Sequence, residues 1–336
     1  MKYFYSSFII TAIGLVLAFF IGGVGAIYIC FLLSILEVSL SFDNAVVNAK
    51  VLNGMDEVWR KRFIIYGIPI AVFGMRFLFP LLIVSVASGH GMFETLNFAI
   101  SQPEKYHEAL NAHKHEIYIF GGAFLMMVFF DFFFEKDRSI SWIKLLEDNA
   151  LVRFLKGVPN INVILAVLLG IYITALTQSS LYATAYFSAI LIHMIISSLN
   201  EMFSIDGVRN GVMGFLYLEV LDASFSFDGV IGAFALSDNI FIIMIGLGIG
   251  AMFVRSITIY LVEKKTLMQF LYLEHGAHYA IFALALIMFL KVFHEVSEVV
   301  TGTIGFGFIL LAFICSLWEN KRRDKKLQEV QAKNFD

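Results

Sequence analysis

The sequence is short of cysteine and of charge. Cys30 and Cys315 are its only cysteines, and both sit in apolar blocks. Two such residues exclude a disulfide framework and fit packing positions. Asp, Glu, Lys and Arg together make up 15% of the 336 residues, against 59% hydrophobic residues that include 36 Phe. With a mean hydropathy of +0.81, an ordinary soluble domain is excluded. The formal charge of −3 says little about partners in such a chain. Other absences narrow the function. There is no phosphate-binding glycine loop and no nucleophile paired with a base. No segment between apolar blocks is long enough for a nucleotide-driven domain, and nothing points to a nucleic-acid partner. No Ala-x-Ala-like site follows the first apolar block, so that block is expected to stay as a span.

What the chain has instead is a series of continuous apolar blocks. A helix needs about 20 such residues to cross a bilayer. In lipid only helices and closed barrels satisfy their own backbone, and these blocks do not alternate as barrel strands do. Ten spans are expected, at roughly 6–24, 27–49, 63–86, 116–135, 161–178, 181–200, 211–236, 240–262, 277–296 and 301–319. The Gly22-Gly23-Val24-Gly25 stretch makes the first turn tight. Basic residues support this count. All but five of the 24 Lys and Arg fall on the side that holds the N-terminus. Lys105 and Lys114 fall on the other side, and Arg76, Arg255 and Lys291 lie within spans. That bias places both termini in the cytoplasm. The expectation is an all-α polytopic protein of the cytoplasmic (inner) membrane, ending in a basic tail at 321–336.

The few intramembrane charges form a pattern that occurs twice. Residues 37–44 read EVSLSFDN and residues 222–229 read DASFSFDG. Ser39, Ser41, Phe42 and Asp43 match Ser224, Ser226, Phe227 and Asp228, and Glu37 matches Asp222. One span later comes Arg76 in the first set and Arg255 in the second. Two spans later a Phe-rich block ends on Glu135 and on Glu295. Five crossings separate the motif helices (27–49 and 211–236), so they run in opposite directions. Two inverted five-helix repeats are expected, 1–178 and 179–320. Secondary transporters built this way hold their site at the midplane between the halves.

A carboxylate near the bilayer centre costs about 2.5–3.5 kcal/mol on insertion scales. Glu37, Asp43, Glu219, Asp222 and Asp228 are too many for Arg76 and Arg255 to neutralise. Protonation offsets part of that cost, and a bound cation is the other way out. Carboxylate, hydroxyl and amide are hard oxygen donors, suited to Mg²⁺, Mn²⁺ or Ca²⁺. Na⁺ and H⁺ fit the same logic. On a helix Glu37, Ser41 and Asn44 share one stripe, and Glu219, Asp222 and Ser226 share the matching one. Asp43 and Asp228 lie off these stripes. They face another neighbour, or the helix unwinds at Ser-Phe-Asp, which Gly229 would ease.

EVSLSFDN resembles the Glu-x-x-Leu-Ser-x-Asp-Asn motif of the TerC family of bacterial membrane proteins. EVLDASFSFDG, residues 219–229, is similar to that family's second motif through Glu219, Asp222, Phe225 and Asp228. Gly229 stands where the family usually has Ser, and residues 89–115 look additional. In length and style the chain resembles the related DUF475 branch. The resemblance implies metal-ion homeostasis, since TerC members are associated with tellurium resistance and manganese efflux. Carried onto matching positions it implies a site of Glu37, Ser41, Asp43, Asn44, Glu219, Asp222 and Asp228, with Ser226 on the same stripe. Mn²⁺ is then the favoured substrate, with no permanently bound cofactor. Two rival readings are an intramembrane aspartyl-type enzyme using two opposed aspartates and a structural subunit of a membrane metal- or tellurite-resistance complex. The outer loop at 89–115, with His90, His107, His113 and His115, is expected to be polar loop, with metal collection as its alternative.

Overall fold

The computed structural model describes residues 2–333 except 79–80, 82–84, 86–88, 137, 139, 204–210, 213, 217, 220–221, 223–232, 234–235, 238, 265–269 and 297. Among the described residues there is no strand, and the protein is an all-α membrane protein. In chain order its α-helices are α1 (Tyr5–Leu40), α2 (Phe42–Gly54), α3 (Glu57–Pro69), α4 (Met92–Ser101), α5 (Pro103–Ala112), α6 (Lys114–Phe133), α7 (Lys144–Glu147), α8 (Ala150–Lys156), α9 (Ile161–Thr177), α10 (Ser180–Phe203), α11 (Ile240–Glu263), α12 (Leu273–Leu290) and α13 (Glu298–Lys333). Most of α6, α11 and α12 is buried, while α1 and α13 turn much of their apolar surface outward. The apolar length of each segment makes it a helix, and burial sorts centre from periphery.

Helix α1 is a hairpin. Gly22 (φ −146°, ψ 20°) and Gly23 (φ 65°, ψ −151°) interrupt it. Before the break it runs antiparallel to α11: Ser7 Oγ donates to the Met252 carbonyl, Gly14 lies on Ile249, and Gly22 lies near Ile242. After the break Cys30 Sγ donates to the Ile242 carbonyl, Leu33 packs on Gly246 and Glu37 packs on Gly250. The chain now runs alongside α11 in the same sense. The tight turn falls where the glycines predict it. Gly23 makes it possible, because that backbone region is open essentially to glycine alone.

At Ser41 (φ −108°, ψ 15°) α1 gives way to α2. Ser41 N donates to Glu37 O at 2.9 Å and Ala45 N to Ser41 O at 3.2 Å. The expected unwinding of the first motif is therefore a one-residue kink with i→i−4 bonds on both sides of it. The corresponding part of the second motif, with Ser226 and Asp228, lies outside the described residues.

Helices α6, α9, α10 and α11 match the expected spans closely. The span expected at 63–86 differs. Pro69 sits inside α3, and Ile70–Leu78 continues as a π-helix. A proline lacks the N–H of the regular ladder and its ring crowds the preceding turn, and the wider π register accommodates such a defect. Helix α12 ends at Leu290, short of 296, and α13 carries the tail on as helix to Lys333. By length and composition, five described helices can cross a membrane, or six if α8 and α9, bent by 105°, form one span. The expected ten exceed that number. The α1 hairpin scores once, α9 is 17 residues long, and 211–236 is described only in part.

Residues 89–115 are not a simple polar loop. They form α4 and α5, whose Ala99 and Tyr106 share a buried cluster with Leu33, Leu81, Ile117, Ile240 and Leu247. His90 contacts Glu94 at 3.3 Å, His113 contacts Glu116 at 3.9 Å, and His115 meets Tyr182 at 3.2 Å. Each of these three histidines has a different partner, so they do not form a common metal-collecting group. The side chain of His107 lies outside the described part of the structure.

Candidate functional site

The site begins with a close helix crossing. Gly246 and Gly250 present a Gly-x-x-x-Gly face on α11, the spacing that lets backbones approach in membranes. A Cβ on Gly250 would lie 2.5 Å from Glu37 Cβ, and one on Gly246 would lie 2.7 Å from Leu33 Cβ. Leu33 and Glu37 are one turn apart on α1, so the two pairs interlock. This holds Glu37 fully buried beside α11. One turn on, Ser41 Oγ donates to Glu37 Oε1 at 2.8 Å. The stripe expected from helical spacing is thus present in the contacts.

Asn44, fully buried on α2, continues that stripe. Its Nδ2 donates to Oδ1 of Asp222. This contact joins the first motif to the second. Ala233 lies in the same buried cluster as Leu33.

Arg255 lies beyond Asp222 on α11 and is buried. Its guanidinium carbon sits 4.4 Å from the centre of the Phe63 ring. A Cβ on Gly67 would come within 2.6 Å of both terminal nitrogens. Only glycine leaves room for the charge there, and the aromatic face adds a cation–π contact. Glu219 and Asp222 are the carboxylates whose field acts on Arg255. Asn48, Glu219, Asp222, Arg255 and Thr258 line a cavity of about 20 Å³. That is room for about one water-sized species.

The structure brings Glu37 to Ser41, Asn44 to Asp222, and Glu219 with Asp222 to Arg255. Glu37 does not line the small cavity. Among the described residues no three His, Cys, Asp or Glu side chains converge as a metal cage. The side chains of Asp43 and Arg76 lie outside the described part of the structure, as do Ser226 and Asp228. Sequence reading missed Asn48, Thr258 and Gly67. Asn48 was within reach, since it extends the stripe of Glu37, Ser41 and Asn44 by one more turn.

A second buried acid has a different role. Glu147, on α7 between spans, accepts from Tyr279 Oη at 3.1 Å and from the backbone N–H of Trp142 and Ile143 at 3.2 Å each. Arg138 and His275 stand 3.3 and 3.4 Å away. Burial pushes its pKa up. The bond from His275, with the other donors and the Arg138 charge, outweighs this and holds it below the usual carboxylate value. A carboxylate so fully bonded is a structural knot tying the α7 segment to α12.

A family model described as a protein of unknown function, DUF475, matches residues 42–323. No curated protein and no solved structure matches the chain.

Proposed function

The chain belongs to the DUF475 family, and from that premise we propose that it is a divalent metal ion transporter, with manganese efflux as the favoured activity. The ion would pass an acidic oxygen-ligand site at the membrane midplane, between two inverted repeats. The observation that carries this reading is the contact of Asn44 with Asp222, two residues 178 apart in the chain and one from each motif. It supports one shared site made from two motif helices. Buried amide, hydroxyl and carboxylate oxygens around a cavity of about 20 Å³ are the donors a hard divalent cation prefers. The likeness of both motifs to those of the TerC family supports metal as the cargo. Glu37, Ser41, Asp43, Asn44, Glu219, Asp222, Ser226 and Asp228 are the proposed ligands, with Arg76 and Arg255 as charge partners.

In this reading Arg255 offsets one of the two carboxylates at the cavity. One negative charge then remains at the cavity and favours a cation there. With no nucleotide-driven domain expected from the sequence, the cargo moves on its own gradient or on that of a second ion. The protein would sit in the cytoplasmic membrane with both termini inside.

Purified protein in liposomes tests this through Mn²⁺ flux. Asp222→Asn and Glu37→Gln should each reduce flux by at least the roughly 10–100-fold seen when a supporting partner at a metal site is lost, with the fold retained. Asp43→Asn and Asp228→Asn should do the same. Flux unchanged in all four variants removes the site assignment. Peptide hydrolysis without flux points to the aspartyl enzyme instead.

A further inference from the structure

A larger polar cavity lies elsewhere, between α6, α9 and α10, with a volume of about 670 Å³. Its lining includes Asp131, Lys136, Lys156, Asn162, His193 and Ser197. Asp131 is the one acid inside the apolar run LMMVFFDFFF. Asn162 Nδ2 donates to its Oδ1 at 2.6 Å. His193 Nε2 stands 3.4 Å from its Oδ2, an ion-pair contact rather than a tight hydrogen bond. The two partners differ in access: the Asp131 side chain is 26% exposed and that of His193 2%. The edge of Phe124 packs on His193 with ring centres 5.3 Å apart. Solvent in the cavity therefore reaches the acid first, and the imidazole lies behind it.

We propose that Asp131 and His193 form a proton-binding pair loaded from this cavity, separate from the acidic motif site. Carboxylate and imidazolium together are neutral, and a buried setting favours that state over a net charge. Asn162 donates to Oδ1 of Asp131, and Oδ2 faces the imidazole. A proton on the pair exchanges with the cavity, which both side chains line and to which Asp131 is the more exposed. The charged groups at the rim set how readily it leaves. Lys136 at the end of α6 and Lys156 from α8 favour the deprotonated, net negative pair. Around Lys156, Glu135 adds negative charge and Arg138 positive charge. Helix α9 contributes Asn162 and α10 contributes Ser197 and Ser198, none of which titrates. The pair acts whatever ion the motif site carries.

Nitrogen-15 NMR of histidine-labelled full-length protein in lipid nanodiscs tests the pair. His193→Gln identifies the His193 ring signal by its disappearance. That signal should titrate between about pH 5 and 9, the range in which an imidazole changes charge. Asp131→Asn should lower its midpoint by about one unit or more, tenfold in proton affinity, because the neighbouring negative charge is gone. The Lys136→Gln, Lys156→Gln double variant should raise the midpoint, and it tests the pair even if Asp131→Asn fails to fold. A His193 signal that stays neutral over the whole range overturns the proposal. So does a midpoint unmoved by the variants.

Discussion

Glu37 and Glu147 are both buried to 1% exposure, yet they are held differently. Glu147 sits among five donors, three from residues 138–143 and two from α12. Glu37 sits on glycine with a serine hydroxyl one turn away. The first arrangement fixes a charge through hydrogen bonds, and the second seats the carboxyl against a close helix crossing. The difference is testable through pH. The pKa of Glu147 is below its ordinary 4.5 in the folded protein. Its contribution to stability is therefore complete above about that ordinary value and is lost as pH falls through the lower folded value. Thermal unfolding in detergent should show wild type losing stability on acidification and Glu147→Gln losing less. Glu147→Ala should cost about 3–5 kcal/mol at neutral pH, as expected when one partner of a buried pair is removed. At this scale the sequence was partly legible. A 3.6-residue period put Glu37, Ser41 and Asn44 on one face, and the contacts agree. Glu147 gave no signal, because its segment has no period and two of its partners, His275 and Tyr279, come from α12.

Among elements, two glycines do opposite kinds of work. Gly23 has open space around it, with nothing within 4 Å of an added Cβ, but a backbone conformation that other residues avoid. Gly250 has an ordinary helical backbone and no space at all. Gly23→Val should cost about 1–3 kcal/mol through strain alone. Gly250→Ala should cost a similar 1–3 kcal/mol through overpacking, and it alone should disturb Glu37. Thermal unfolding measures both costs, and Mn²⁺ flux or binding separates them: reduced in Gly250→Ala, near wild type in Gly23→Val. The turn at Gly22–Gly23 was legible because conformational freedom is a property of the residue. The Gly250 contact was not, because closeness is a property of two helices together. The same contrast explains the span at 63–86. Its hydrophobicity announced a crossing, while Pro69 and the π register that follows it changed how the helix is wound.

For the whole molecule, apolar length makes a multi-pass membrane protein, and the bias of basic residues leads to the expectation that both ends lie on one side. A single cysteine placed near residue 2 or near residue 330, in a background without Cys30 and Cys315, should react with a membrane-impermeant thiol reagent only from the cytoplasmic face. Labelling of one end from each face would rule out an even number of crossings. The sequence by itself determined the all-α class, the membrane setting, the repeated acidic motif and the face shared by Glu37, Ser41 and Asn44. These follow from run length, local period and residue chemistry, all of which act over a turn or a span. Only the tertiary structure decided that Asn44 meets Asp222, that Arg255 rests on Phe63 and Gly67, that Ala99 and Tyr106 of α4 and α5 join a buried cluster with Leu33, and that Asp131 faces His193. Each of these joins residues from different helices, and such contacts depend on how helices pack, which no local period in an apolar chain specifies.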